Sequence, residues 1–393
     1  MGKIAFVSTL QPETHYCRYL LDELEKLEDL EIWADKDEKN YHLPYKNLQL
    51  CWSKGLFYPW QIFWQAIKSR PKIVHLQHEI NMYGGKLSAF IFPLLLLLFK
   101  LLNKKIVVTV HAVVSKDEVT ADFLQTFNFP RGKIWQGAVL QFFNFLYRSI
   151  IVFSAAIIVH SQYLKGVLVK DYGGKKTKIF VNPIGVPARD NKNYLLKSPW
   201  AKKLAGKKII LYFGYLLKRK GLEYLISAFE KFYPKNGDYF LVLAGGQLDY
   251  QKDYGQKLKN QVKKDGFSEK IIFTGFISQQ EMIGLYQRCQ FVVLPYTYSI
   301  SSSLPLSFAM QYQKPVIATN IGSLSEEVED GKDGLLVKVA DSKALYMAME
   351  KLAQDSLLYN HLSAGQKEKF LKRSWQNVAK KTQMIYNKVY KYN

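Results

Sequence analysis

The chain has 393 residues, of which 48% are hydrophobic and 15% aromatic, and its formal net charge is +22. This length predicts two globular domains, because single domains usually hold about 100 to 200 residues. Three scattered cysteines, Cys17, Cys51 and Cys289, exclude a disulfide framework and a zinc finger and favour a reducing cytoplasm. The basic charge would attract any polyanion, but no zinc-finger spacing or RNA-recognition signature supports nucleic acid as a partner.

The basic charge is concentrated in one segment. Residues 1–38 hold ten carboxylates, whereas from Lys39 to Lys116 eleven Lys or Arg face a single carboxylate, Glu79. The aromatic residues of this segment are Tyr41, Tyr45, Trp52, Phe57, Tyr58, Trp60, Phe63 and Trp64. Cations mixed with aromatic rings suit the headgroup layer of an anionic membrane, so we predict peripheral membrane binding. An ordinary solvated basic surface beside core aromatics is the alternative.

Strands alternate with helices along the first half. The strand "KIAFVSTL" precedes an amphipathic helix, "THYCRYLLDELEKL", and the alternation continues through "PKIVHLQHE", "KKIVVTVHAV" and "SAAIIVHSQYLKGVLV". Pro93 and Lys100 interrupt the one long apolar run, which is too short for a membrane span and predicts a buried helix. The acidic run "DKDE" from Asp35 is interpreted as a solvated loop rather than a metal site.

A domain boundary is predicted between about Pro183 and Lys208, where the chain becomes polar and irregular. The alternation then resumes at "IILYFG", "YFLVLAGG", "KIIFTGF", "CQFVVLPY" and "KPVIATN". The predicted fold class is therefore α/β, with doubly wound parallel-sheet, Rossmann-like domains at residues 1–185 and 186–372.

Residues 373–393 predict a final helix with one apolar face. That face consists of Trp375, Val378, Ala379, Thr382, Ile385, Tyr386 and Val389. The helix could pack back on the first domain or, with its lysines, lie on a membrane surface.

Two turns of the second domain could bind an anion. The strand "IILYFG" ends at Gly214, and a helix begins near Gly221 beside Lys220. Free N–H groups at a helix start and a neighbouring lysine form a site that would fit a diphosphate. A solvated turn would explain the same residues.

The second turn lies in "YSISSSLPLSFAMQYQ", where Ser301, Ser302 and Ser303 precede an apolar helix without carboxylates. Ser303 is the predicted N-cap, and Pro305 is tolerated in the first turn. Hydroxyl and amide donors would favour a diphosphate there, whereas a carboxylate would repel it. Alternatively, the serines merely cap the helix.

Ligands of open parallel sheets bind beyond the carboxyl ends of the strands. In the second domain Gly245, Gly246 and Gly275 with Phe276 follow such ends. In the first domain His111 follows "IVVTV", and His75, His78 and Glu79 lie in "VHLQHE". A histidine at such a position can donate to a substrate or act as acid or base, or it can be structural.

These motifs resemble the retaining glycosyltransferases of the GT-B fold, family 4. "FGYLLKRKGLEYLISAF" resembles the family's strand, phosphate-lysine loop and helix, and "KPVIATNIGSLSEEVEDGKDGLLV" resembles its signature. "TVHA", "VNPIGVP" and "SWQNVA" extend the resemblance across most of the chain. It implies two domains facing a cleft, with a nucleotide-sugar donor on the carboxyl-terminal domain and an acceptor on the amino-terminal one.

The resemblance also implies roles for individual residues, with His111 and Lys220 as the catalytic pair. Together with the strand-end and helix-start arguments above, it predicts diphosphate binding by Gly214, Arg219, Lys220, Ser302, Ser303 and Leu304. Gly245, Gly246 and Phe276 would contact the nucleotide, and His78 and Glu79 the acceptor side. No metal or cofactor is implied, since the nucleotide-sugar is a substrate.

The chain departs from the family pattern in three places. The usual E-x7-E acids are replaced by Ile300 and Phe308, which leaves the sugar open. Tyr215 stands where many relatives carry a phosphate-binding arginine, which Arg219 or Lys218 could replace. The loop "TLQPETHYC" lacks the usual paired glycines.

We therefore expect a metal-independent hexosyltransferase on the inner, cytoplasmic face of a membrane, acting on a lipid-linked or cell-surface glycan acceptor. Two alternatives remain. One is a nucleotide-sugar epimerase or phosphorylase of the same fold. The other is a non-catalytic basic protein that binds membranes or polyanions.

Overall fold

The computed structural model describes residues 2–11, 16–40, 43–248 and 252–391. The chain folds into two compact units. The first contains Met1–Gly185, Ile300–Ser302 and Trp375–Asn393, and the second contains Val186–Ser299 and Ser303–Ser374.

The first unit is built on a seven-stranded parallel sheet in the order β3-β2-β1-β4-β5-β6-β7. Its strands are β1 (Ile4–Val7), β2 (Leu30–Asp35), β3 (Leu48–Trp52), β4 (Ile73–His78), β5 (Lys105–Val110), β6 (Ala156–Val159) and β7 (Ile179–Val181). Strands β1, β2, β4 and β6 are buried along their whole length, as expected for a sheet covered by helices on both faces.

The helices of this unit follow the strands in alternation. They are α1 (Tyr16–Leu24), α2 (Tyr58–Ser69), α3 (Lys86–Phe90), α4 (Phe92–Leu101), α5 (Ala121–Thr126), α6 (Lys133–Phe153) and α7 (Gln162–Lys170). The long apolar run forms two helices, α3 and α4, and Pro93 lies in the first turn of α4, where its missing N–H costs no hydrogen bond. Within the described ranges, no helix combines the length and the hydropathy that crossing a bilayer requires.

The interpretation of "DKDE" as a solvated loop is wrong. Asp35 ends the buried strand β2 and is itself inaccessible, and Glu38 in the following 3-10 turn is 4% exposed. Lys54 Nζ lies 3.5 Å from the Asp35 carboxylate, and Glu38 Oε1 accepts hydrogen bonds from the N–H groups of Leu10 and Gln11. Because these partners are distant in sequence, the acids resemble a solvated run until the fold is known.

The second unit has a six-stranded parallel sheet in the order β10-β9-β8-β11-β12-β13. Its strands are β8 (Lys208–Phe213), β9 (Tyr239–Ala244), β10 (Ile271–Gly275), β11 (Cys289–Leu294), β12 (Val316–Thr319) and β13 (Gly334–Val337). Its helices are α8 (Leu222–Phe232), α9 (Lys252–Lys264), α10 (Gln279–Arg288), α11 (Leu304–Gln311), α12 (Gly322–Glu327), α13 (Ser342–Gln354) and α14 (Ser356–Lys372). The predicted doubly wound parallel sheets are thus confirmed.

The last helix, α15 (Trp375–Lys391), belongs to the first unit and packs against α1. Its buried residues are the seven of the apolar face described above. Polar contacts fix it to the sheet: Tyr386 Oη lies 2.6 Å from His75 Nδ1, Asn182 Nδ2 donates to the Val378 carbonyl at 3.0 Å, and Lys105 Nζ donates to the Val389 carbonyl at 3.0 Å.

Candidate functional site

The turn between β8 and α8 carries the cations of the candidate anion site. Residues Lys218–Lys220 form a 3-10 turn, and Gly221 precedes α8 in the left-handed region at φ 62°. A Cβ atom at Gly221 would lie 2.1 Å from the Pro295 carbonyl oxygen. Glycine is therefore required for the turn to approach the segment that follows β11.

The two predicted anion-binding turns are joined by backbone hydrogen bonds. The Arg219 carbonyl accepts the N–H groups of Thr297 and Tyr298, at 2.9 and 3.4 Å. Thr319 Oγ1, at the end of β12, donates to the Tyr296 carbonyl at 2.7 Å. The basic turn before α8 thus has a fixed position against the segment leading to α11.

Lys220 and Ser303 both contact Tyr296, Lys220 at the face of the ring and Ser303 at the hydroxyl. Lys220 Nζ lies 3.3 Å from the centroid of the Tyr296 ring, and Tyr296 Oη lies 3.2 Å from Ser303 Oγ. Tyr296 is 2% exposed. The lysine and the start of α11 are therefore neighbours, as the anion-site hypothesis requires.

Ser303 occupies the predicted N-cap position of α11, and Leu304 and Pro305 begin the helix. The Ser303 side chain accepts no N–H of α11, since its hydroxyl bonds to Tyr296. The Ser302 hydroxyl is buried and has no hydrogen-bond partner within the described part of the chain.

The positions of the absent acids are apolar and packed. Ile300 is 6% exposed and Phe308 is 1% exposed. The Phe308 ring packs against Phe213 and Tyr286, with ring centroids 6.2 and 5.6 Å apart. This aromatic packing fills the position of the second acid.

A group of exposed aromatic rings follows β8 and β10. Phe276 is 70% exposed and Tyr215 is 43% exposed, and their rings meet edge to face with centroids 6.1 Å apart. A Cβ atom at Gly246 would lie 2.3 Å from the Phe276 ring, so a side chain there would displace this exposed ring. Gly245 forms a β-bridge with Gly275, and the N–H of Gly214 donates to Ala244, which keeps these strand ends together.

The first unit places a second histidine beside His111. His111 follows β5 and is half-buried, with Nδ1 3.0 Å from His160 Nε2 and Nε2 2.9 Å from Gln77 Oε1. Burial lowers the pKa of His160 to about 4, so this ring is neutral at physiological pH. His160 Nδ1 donates to the Asn182 carbonyl at 3.0 Å, which leaves its Nε2 to accept the Nδ1–H of His111.

His78 was predicted to lie on the acceptor side of the site, but its burial contradicts a direct contact with an acceptor. His78 is 1% exposed and packs on Phe92, with ring centroids 4.5 Å apart. Burial lowers the pKa of His78 to about 4, and its ring nitrogens have no hydrogen-bond partner among the described residues. Glu79, the next residue, is exposed.

The loop after β1, which lacks the paired glycines of the family, is bound at its start by Glu38. Residues 12–15 of "TLQPETHYC" lie outside the described ranges, as does Tyr41 of the aromatic segment. The N–H groups of Leu10 and Gln11 are bound by Glu38, whose pKa burial raises to about 7.

Tyr296, His160 and Gln77 were not among the predicted site residues. His160 carries a signal that could have found it, because it follows the strand "AIIV" as His111 follows "IVVTV". No signal marks Tyr296 or Gln77 before the fold is known. The described ranges contain no group of three His, Cys, Asp or Glu side chains that could hold a metal ion.

Two family profiles match the chain. Glycosyltransferase Family 4 matches residues 15–189, and Glycosyl transferases group 1 matches residues 197–369. The chain belongs to the group 1 glycosyltransferases. The predicted family is thereby confirmed.

Among similar proteins is an uncharacterized glycosyltransferase of Methanocaldococcus jannaschii, 27% identical over 46% of this chain and 44% of its own length. The lipopolysaccharide core biosynthesis mannosyltransferase LpsB of Rhizobium meliloti is 28% identical over 39% of this chain and 45% of its own length. The chain thus spans less than half the length of the curated relatives it matches.

A solved structure extends the fold comparison to the whole chain. Anabaena Alr3699/HepE, in complex with UDP and glucose, superposes with a TM-score of 0.73 at 16% identity and covers 98% of this chain and 100% of its own. At this identity the likeness establishes the fold alone. The predicted GT-B fold class is confirmed.

Proposed function

We propose that the chain is a retaining hexosyltransferase that moves a sugar from a nucleotide-diphosphate sugar to a lipid-linked or cell-surface glycan acceptor. The observation that carries the proposal is the contact of Lys220 and Ser303 with the two sides of Tyr296. UDP and glucose in Anabaena Alr3699/HepE support a nucleotide-sugar donor. The lipopolysaccharide mannosyltransferase of Rhizobium meliloti supports a glycan acceptor.

The chemistry of this site is stabilisation of a leaving group. When the glycosidic bond breaks, negative charge develops on the departing diphosphate. Lys220, Arg219 and the N–H of Leu304 at the start of α11 would donate to its oxygens. These donors belong to turns that are already fixed, so the reaction would need no metal ion.

The exposed rings of Phe276 and Tyr215 suit a flat ligand, because aromatic rings stack on planar rings at small entropic cost. We assign them, with Gly245 and Gly246, to the nucleobase and ribose of the donor. His111 is retained as a catalytic candidate; His160 and Gln77 contact its two ring nitrogens, so donation from Nε2 to a sugar oxygen would replace the contact with Gln77.

We further propose that the protein works at the cytoplasmic surface of an anionic membrane. Helices α2, α3, α4 and α6 pack beside one another and leave many apolar side chains exposed. We use the name apolar face, from here on, for the exposed surface of these four helices and not for the buried side of α15. Its exposed apolar residues are Trp60, Trp64, Ile67, Leu87, Phe90, Leu97, Leu101, Ile134, Trp135, Phe145 and Val152. Phe90 of α3 contacts Phe142 and Phe145 of α6, so these two helices share one aromatic cluster.

The charge of the apolar face complements anionic lipid. Its four helices contain no carboxylate. Their exposed cations are Lys68, Lys86, Lys100, Lys133 and Arg148. Not all predicted aromatics contribute, because Tyr45, Trp52 and Tyr58 are buried core residues.

Replacement of Lys220 tests the catalytic proposal. Lys220→Ala should fold normally and lose about 3 kcal/mol of transition-state stabilisation, roughly a hundredfold in rate, as expected for one strong donor to a leaving group. The measurement is release of nucleoside diphosphate from a panel of nucleotide sugars in the presence of membrane-extracted glycolipid acceptors. Lys231→Ala, an exposed lysine near the other end of α8, is the matched control.

A wild-type rate in Lys220→Ala would remove this residue from the mechanism. Product NMR decides the stereochemistry, since an inverted anomeric centre would contradict the retaining assignment. A changed sugar without acceptor would indicate epimerisation instead.

A further inference from the structure

Tyr296 is the residue on which the two halves of the candidate diphosphate site converge. Its ring lies under the Lys220 ammonium, 3.3 Å from ring centroid to Nζ, and its hydroxyl lies 3.2 Å from Ser303 Oγ. We propose that Tyr296 is a positioning residue that presents Lys220 and Ser303 together to the diphosphate of the donor. This inference rests on the proposed function and names the residue that organises its site.

An aromatic ring holds a lysine differently from a carboxylate. The negative face of the ring attracts the ammonium, but the ring carries no net charge and does not neutralise the cation. A carboxylate in that place would compete with phosphate oxygens for the same N–H groups. The contact with Tyr296 therefore positions Lys220 without itself neutralising the ammonium.

The hydroxyl of Tyr296 acts on Ser303 in a related way. Burial raises the pKa of Tyr296 to about 12, so the hydroxyl keeps its proton and can donate to Ser303 Oγ. The Ser303 O–H is then oriented away from Tyr296 and can donate to a phosphate oxygen. The Ser303 side chain accepts no N–H of α11, and its carbonyl accepts the N–H of Leu306, so the N–H of Leu304 keeps its capacity for the ligand.

Tyr296 can position other groups because it is itself fixed. It is 2% exposed, its carbonyl accepts the Thr319 hydroxyl at 2.7 Å, and the next two N–H groups donate to Arg219. The ring is thus held by β12 on one side and by the basic turn on the other.

The test replaces the Tyr296 side chain by phenylalanine and by trifluorophenylalanine. Both keep the shape of the ring, and fluorine withdraws the electron density that attracts the ammonium. The affinities of inorganic pyrophosphate, UDP and GDP are measured by titration calorimetry, each in the wild-type and the Lys220→Ala background. Tyr359→Phe, which removes a tyrosine hydroxyl bonded to the Gln290 carbonyl, is the matched control.

We expect Tyr296→Phe to weaken pyrophosphate binding roughly two- to tenfold through the lost hydroxyl. Trifluorophenylalanine should weaken it by about a further threefold or more, and this second loss should vanish when Lys220 is alanine. Equal affinities for the two rings, or the same fluorine effect without Lys220, would overturn the positioning role. If Lys220→Ala alone binds all three probes like the wild type, the diphosphate site itself is refuted and this proposal falls with it.

Discussion

Glu38 is a buried carboxylate that binds the backbone of the loop after β1. Its Oε1 accepts from Leu10 and Gln11, while burial raises its pKa from an ordinary value near 4.5 to about 7. Between these values the folded chain retains a proton that the unfolded chain has released. The contribution of Glu38 to stability is therefore complete below about pH 4.5 and is lost as the pH rises through about 7.

Glu38→Gln should remove this pH dependence and keep the oxygen that accepts the two amides. We expect the variant to be at least as stable as the wild type at about pH 8 and to lose less of its melting temperature between about pH 5 and pH 8. Thermal unfolding followed by circular dichroism measures the difference. Glu269→Gln, at an exposed position, is the control, and parallel pH curves for wild type and Glu38→Gln would contradict the assignment.

The positions of residues were predictable from the sequence where they depend on the local chain. Gly221, Lys220 and the N-cap position of Ser303 follow from a strand, a turn and a helix in immediate succession. The contact of Lys220 with Tyr296 joins residues 76 positions apart through β11, and no local pattern encodes it. His78 was wrongly predicted to contact the acceptor. Its position at the end of a strand is evident from the sequence, but the burial of its side chain is not.

Among the secondary-structure elements, α2 and α6 offer the clearest test of membrane binding. Trp60→Ser with Trp64→Ser on α2, and Trp135→Ser on α6, remove exposed rings and leave the charge unchanged. Burying one such ring in lipid is worth about 1.5 to 3 kcal/mol, so each substitution should weaken binding roughly tenfold or more. Leu371→Ser, at a residue 69% exposed on α14, is the matched control.

Flotation with phosphatidylcholine vesicles, with and without phosphatidylglycerol, measures this binding at low and high salt. The wild type should float with the anionic vesicles, and high salt should weaken this by screening the lysines. The tryptophan variants should bind less at both salt concentrations. Wild-type flotation of these variants, or association of the chain with itself in place of lipid, would refute the apolar face as a membrane contact.

Helices α8 and α15 were predicted and strands β2 and β3 were not, for a physical reason. The buried residues of α8 and α15 recur at spacings of three and four within one segment, so their apolar faces can be identified locally. Strand β2 contains Glu31 and Asp35, whose partners Lys3 and Lys54 lie on other segments. Strand β3 is an edge strand with a half-exposed pattern. Neither presents the continuous apolar run by which buried parallel strands are recognised.

At the scale of the whole molecule, buried histidines make the free energy of unfolding decrease at acidic pH. Burial lowers the pKa of His75 to about 3 and the pKa values of His78 and His160 to about 4. In the unfolded chain these rings bind protons as the pH falls below about 6.5, whereas in the folded chain burial keeps them neutral. The stability that they contribute is present above about pH 6.5 and is lost as the pH falls toward 4.

His78→Phe should reduce this acid sensitivity, because the apolar ring can occupy the site against Phe92 without binding a proton. We expect a smaller drop in melting temperature between about pH 6.5 and pH 4.5 than in the wild type, and unchanged transfer activity at neutral pH. His361→Asn, at an exposed histidine, is the control. A loss of activity without a loss of stability would restore His78 as a substrate contact.

The assignment of α15 to the first unit bears on how the polypeptide is made. The second unit, Val186–Ser299 with Ser303–Ser374, is synthesised before the helix that covers one side of the amino-terminal sheet. Domains usually fold in the order of translation. Here the amino-terminal unit cannot finish packing until α15 has been synthesised, so a premature stop near Ser374 would leave the side of its sheet that bears His75 and Asn182 without its cover. Nascent chains arrested at that point should be targets for chaperones and proteases although the strands of both sheets have already been synthesised.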